Sequence, residues 1–266
     1  MRTAFFLLAL LRHALGSERC PKRPPALVVS ADDARFNHAK RVLHSLRFVV
    51  RRVVPPPIDS AEVLSAGVAE FGPDLAHYPR GLKATSNRLA HKAAVSEVGL
   101  SNGTCWHYVF EDDIALHPSI TPAAARQLVR AGQKLASQAG FVYLGACSTA
   151  CSSNTSSFKL CFGPCTHAYG VTPERSKTLL EDARNALPRR WTDAFKIRRY
   201  LRNCRMHSVD KPNYALDRRL FFDQHLLFLG KQTPFLLVGA NLTSPDWWDH
   251  YGILYQKLSV FTGYSM

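Results

Sequence analysis

"PPALVVSADDARFNHAKRVLHSLRFVVRRVVPPP", Pro24 to Pro57, decides the fold class. The run Ala26 to Ser30 has prolines in front and Asp32 and Asp33 behind, the pattern of a buried strand closed by polar residues. Phe36, Ala39, Val42, Leu43 and Leu46 then recur at helical spacing, and "RFVVRRVV" reads as a second strand stopped by prolines. Strand, helix and strand in that order form a β-α-β unit, whose crossover sets two strands parallel.

The alternation continues downstream. "TSNRLAHKAAVSEVG" reads as a helix stopped at Gly99, "CWHYVFEDD" as a strand, and "TPAAARQLVRAGQKLASQAG" as a helix opened by Thr121-Pro122 and closed at Gly140. "FVYLGAC" and "THAYGV" are strands, and Thr172-Pro173 starts a helix over "ERSKTLLEDARNAL". Beyond Pro188, "RRWTDAFKIRRYLRNCRMH" and "LDRRLFFDQHLLFLG" read as basic helices and "PFLLVGANL" as a last strand. A chain of 266 residues with this pattern predicts one α/β domain over 17–266, with a largely parallel central sheet flanked by helices. A hydrophobic fraction of 46% excludes wholesale disorder.

The first residues read differently. Arg2, the apolar run Ala4 to Leu11, and Ala14 and Gly16 have the order of a signal peptide spanning 1–16. That run is far shorter than the ~20 residues a bilayer core requires, so no stable membrane span is expected. Sequons at Asn102, Asn154 and Asn241 agree with a secretory route, in the ER or Golgi lumen or outside the cell. Cysteines in such a compartment pair readily. Cys147, Cys151, Cys161 and Cys165 bracket a polar loop, read as disulfides rather than a zinc site because x3 spacing departs from the x2 of zinc ribbons. Nested bonds, Cys147 to Cys165 and Cys151 to Cys161, would staple that loop, although spacing leaves connectivity open. At least one of Cys20, Cys105 and Cys204 then lacks a partner within the chain or pairs between chains. The net charge of +14 points to an acidic partner, an anionic glycan or a phosphorylated small molecule. Nucleic acid is not expected, because the basic residues are scattered without an aromatic-basic motif.

"HYVFEDDIALHP", His107 to Pro118, places Glu111, Asp112 and Asp113 at the end of an apolar strand. Ligands of open α/β sheets bind outside the carboxyl ends of the strands. Acids there suit Mg²⁺ or Mn²⁺ with positions left for phosphate oxygens. The plainer alternative is a charge cluster that stabilises the following helix, or a solvated acidic loop.

"YVFEDDI", with "SNRLAHKAAVSEV" before it and "FVYLGAC" and "CTHAYGVTPERSKTLL" after it, resembles glycosyltransferase family 25, the lipooligosaccharide and collagen galactosyltransferases. The resemblance runs from "ALVVS" to about "LLVGANL". It implies a GT-A-like, Rossmann-like fold and inverting, metal-dependent transfer of galactose or glucose from a UDP-sugar to a glycan or glycoprotein acceptor. By position it implies Asp113 and Glu111 at the Mn²⁺ or Mg²⁺ ion. Asp112, His91 and His167 fall to the donor, with Tyr169 beside them in the "HAY" strand; satisfied core residues are the other reading of His91, His167 and Tyr169. Ser30 and Arg35 lie at the first strand, where Arg35 and Arg41 would reach a diphosphate or else form a solvated helix face. An inverting transfer needs a base, and two residues qualify, Asp223 and Asp217. On one helix the six-residue spacing turns them about 240° net, about 120° the short way round, so they cannot face a cleft equally; Asp223 is favoured for its apolar N-terminal neighbour, an exposed helix acid being its other reading. Trp247 and Trp248 offer indole faces for an acceptor sugar, or pack internally, and His250 offers a further metal or phosphate ligand. The competing classes are a non-catalytic carbohydrate-binding relative and a basic extracellular interaction protein.

Overall fold

The computed structural model describes residues 20–71, 79–147, 150–151, 157–162, 167–190, 235–243, 245 and 250–256. The opening unit is β1 (Pro25–Val29), α1 (Asp33–Ser45) and β2 (Val49–Val53). β1 and β2 pair in parallel with Leu27 opposite Arg51, as the β-α-β reading requires. Asp32 caps α1, its side chain accepting from the Arg35 amide at 2.8 Å.

There follow α2 (Ala61–Phe71), α3 (Pro79–Leu100), β3 (His107–Glu111), β4 (Ile114–Leu116), α4 (Pro122–Leu135) and β5 (Phe141–Cys147). Then come β6 (Ala150–Cys151), β7 (Phe158–Phe162), β8 (Ala168–Val171), α5 (Pro173–Arg190), β9 (Phe235–Val238), β10 (His250–Gly252) and β11 (Leu254–Gln256). The main sheet has nine strands in the order β2-β1-β3-β8-β5-β9-β7-β6, with β10 beside β5. Pairing directions make β1, β2, β3, β5, β9 and β6 run one way and β8, β7 and β10 the other.

The sheet is therefore mostly parallel in direction, but "THAYGV" corrects the simple βα alternation: β8 lies antiparallel between β3 and β5. A parallel return needs a long crossover, usually a helix. The segment between β5 and β8 instead holds β6 and β7, which pair as antiparallel neighbours. The small sheet of β4 and β11 is absent from the sequence reading, as is α2. A three-residue strand is too short for its period to register.

Alternation along β3 sends side chains to two cores. Tyr108 and Phe110 pack with Ala39 and Leu43 of α1 and Ala125 and Val129 of α4. Val109 packs with Ala90, Ala94 and Val98 of α3 and Leu179 of α5. The result is a three-layer helix–sheet–helix arrangement. Full burial of Phe110 is worth about 2–3 kcal/mol on transfer alone.

Cys20 and Cys105 form a disulfide with 5.3 Å between their Cα atoms, tying the lead-in of β1 to that of β3. Cys151 and Cys161 stand opposite one another in the β6–β7 register. The 1–16 signal segment, Asn154, Cys165, Cys204, Asp217, Asp223, Trp247 and Trp248 lie outside the described residues. Among those described, no helix is long and apolar enough to cross a membrane.

Candidate functional site at the carboxyl ends of β1 and β3

β1 and β3 are parallel neighbours, with Val29 opposite Glu111, so Ser30 and Asp112 follow at the same edge of the sheet. Ser30 is buried and its hydroxyl donates to the Asp32 carbonyl at 2.8 Å, shaping the turn into α1. Arg52 of β2 donates through Nε to the Ser30 carbonyl at 2.9 Å and pairs with Asp33. That turn delivers Arg35, in the first turn of α1, to the acids beyond β3.

The three acids do not act as one set. Period-2 alternation carries Glu111 to the α3 side, following Val109, and Asp112 to the α1 side, following Phe110. Glu111 Oε1 accepts from Asn87 Nδ2 at 3.3 Å and lies 3.4 Å from His91 Nε2. Asn87 and His91 are one helical turn apart on α3, which aims both at the same carboxylate. His91 is fully buried, and its Nδ1 meets the Tyr169 hydroxyl at 3.2 Å with the rings stacked.

On the other side, Arg35 places a guanidinium nitrogen 2.5 Å from Asp112 Oδ1 and 3.6 Å from Asp113 Oδ2. Burial raises the Asp112 carboxyl above its usual range, against the pull of Ser30 and Arg35. Asp113 is pushed up to about 7, first by burial and then by the charge of Glu111, with Arg35 opposing. Asp113 Oδ1 is buried and has no hydrogen-bond partner among the described residues. Burying a carboxylate oxygen without a partner is costly, so this atom is the clearest open valence of the site.

His167 is also fully buried, just ahead of β8, and its carbonyl accepts from the Glu111 amide at 2.9 Å. A Cβ on Gly145 would stand 2.3 Å from His167 Nε2 and 2.1 Å from the Leu254 carbonyl, so only glycine admits this packing. His91 and His167 therefore sit behind the acids as core supports rather than on an open surface. The sequons at Asn102 and Asn241 are exposed.

Sequence reasoning singled out Ser30, Arg35, His91 and the acids, and the fold brings all of them to one end of the sheet. It missed Asn87, and it missed His38, whose Nε2 lies 3.0 Å from the Ile114 carbonyl and braces the segment after Asp113. Spacing carried a signal for Asn87, four residues before His91 on the same helical stripe.

Among the described residues no group of three or more His, Cys, Asp or Glu side chains is placed to hold a metal ion. Mg²⁺ commonly takes one or two carboxylates and fills its shell with water and phosphate oxygens. The open Asp113 Oδ1 suits that mode, whereas a closed protein cage does not fit. No protein-family model and no curated protein matches the chain.

Proposed function

We propose that the chain is a metal-dependent, inverting glycosyltransferase of the family 25 type with a GT-A-like fold. It transfers galactose or glucose from a UDP-sugar to a hydroxyl of a glycan or glycoprotein acceptor in the secretory pathway. The observation that carries this reading is the open carboxylate oxygen of Asp113 beside the first turn of α1. A helix N-terminus and an arginine favour a diphosphate, and a carboxylate next to them favours the cation that a diphosphate brings.

In this reading Asp113 holds the ion, which would supply neutralising charge to the departing diphosphate. Arg35 orients Asp112 and Asp113 and can turn to the phosphates. Ser30 shapes the floor at the end of β1, and Asp112 faces the donor. His91 and Asn87 fix Glu111, whose charge adds to burial in raising the Asp113 pKa. The acceptor oxygen attacks the anomeric carbon as the bond from that carbon to the diphosphate oxygen breaks. The hydroxyl proton passes to a carboxylate, assigned to Asp223 with Asp217 as the alternative, and the acceptor sugar stacks on Trp247 or Trp248.

A second reading has its own support: Arg35 already pairs with Asp112, an arrangement that also suits a carbohydrate-binding protein without a metal. Calorimetric titration of UDP-galactose and UDP-glucose, with and without Mn²⁺, tests both. Mn²⁺-dependent donor binding that Asp113→Asn abolishes, together with donor hydrolysis, is the expected result. Sugar binding indifferent to Mn²⁺, without hydrolysis, would establish the second reading.

A further inference from the structure

At the opposite end of the sheet lies a cavity of about 640 Å³, bounded by the segments that lead into β1, β2 and β3 and by α4. It is separated from the acids by the length of the five-residue β1, roughly 15 Å at about 3.3 Å per residue. Lys22, Arg47, Arg126, Arg130 and Lys134 line it, and no acid is among its described lining residues. Its floor is apolar, from Phe48, Val129 and the half-buried Trp106, and the Cys20–Cys105 disulfide forms one wall.

The cations are arranged, not merely numerous. Arg126, Arg130 and Lys134 are spaced i, i+4 and i+8 on α4, one row along one helix face with about 6 Å between successive Cα atoms. Like charges in such a row repel one another, and a ligand with negative groups in series relieves that repulsion. A single phosphate meets at most one or two of them. Lys22 and Arg47 face the row from other walls, so a linear anion laid along α4 is held from both sides. Trp106 offers a surface for the face of a pyranose ring. The disulfide in the wall fits an oxidising compartment, where nucleic acid is scarce, which favours an anionic polysaccharide over a nucleic acid as the linear polyanion.

We propose that this cavity is a binding site for a sulfated polysaccharide chain, separate from the donor site and independent of whether the chain is an enzyme. It gives the net charge of +14 a specific address. Sulfate groups in series pair with the α4 row, and a sugar ring lies over the half-buried Trp106.

The test is calorimetric titration of the full chain with a heparin hexasaccharide at physiological salt. Parallel arms use unsulfated heparosan of the same length, inorganic phosphate, and a single-stranded oligonucleotide of matched charge. Heparin should bind, and each of the other three should bind on the order of tenfold more weakly or not at all. Arg130→Glu with Lys134→Glu, both exposed positions, should weaken heparin binding on the order of tenfold. The charge-matched pair Lys92→Glu with Lys177→Glu, also exposed and away from the cavity, should leave it within about threefold. Heparin should also protect Lys22 and Lys134 from acetylation in the unmodified protein, a readout that needs no variant. Equal weakening by both pairs, equal binding of the oligonucleotide, or no protection of Lys22 and Lys134 would overturn the proposal.

Discussion

Arg35 reaches from the first turn of α1 to within 2.5 Å of Asp112, joining the end of the first strand to the end of the third. The pair is largely shielded, with Asp112 9% and Arg35 25% exposed at the side chain, so each group depends on the other. Removing one partner of such a pair leaves a poorly hydrated charge.

Arg35→Met should therefore cost about 2 kcal/mol of stability at pH 8. The cost should shrink at pH 5, because Asp113 with a pKa of about 7 is then neutral. Urea unfolding at the two pH values measures both numbers. An equal loss at both would mean that Arg35 acts through the packing of its aliphatic stem.

Asp113 supplies a pH signature of its own. Its carboxyl rises from 3.8 to about 7 on folding, so between those values the folded state holds a proton that the unfolded state has lost. The stability this contributes is complete below about pH 4, falls as pH rises toward about 7, and is level above that. Water reaching the 22% exposed side chain screens part of the effect, leaving a loss of about 2 kcal/mol across the window. Asp113→Asn should flatten this slope, as read from unfolding free energies at half-unit pH steps. An unchanged slope would assign the titration to Asp112 or Glu111.

Behind the acids, Tyr169 is the hydrogen-bond partner of the buried His91 Nδ1. Tyr169→Phe preserves the stacked ring but removes that partner, at a cost of about 1–2 kcal/mol. Because His91 adjoins Glu111, the glycosyltransferase proposal expects UDP-galactose affinity to fall as well. Thermal unfolding and donor titration on the same variant separate the two effects.

The Cys20–Cys105 bond spans 85 residues of sequence and encloses the β-α-β unit with α2 and α3. On the chain-entropy model, a loop of that size predicts a loss of about 4.5 kcal/mol for Cys105→Ser. Denaturant unfolding should show it, and peptide mapping without reductant should recover the 20–105 linked fragment from the unmodified protein.

The β-α-β opening, the helix over 122–135 and the acids at a strand end follow from local rules, because period, prolines and caps act over a few residues. That Ser30, Arg35 and Asp113 meet at one edge of the sheet was legible for the same reason: parallel strands deliver their carboxyl ends to one edge. The direction of β8 was not legible, since it depends on what fills the connection from β5 rather than on its own sequence. Nor was the division of Glu111 from Asp112, whose alternation is visible in the sequence while the helices on either face are not. The pairing of Cys20 with Cys105 and the meeting of Lys22 and Arg47 with the α4 row arise only when distant segments share one end of a sheet. Local chemistry decided the elements and marked the acids; long-range packing decided which side chain each acid answers to, and built the cationic cavity behind them.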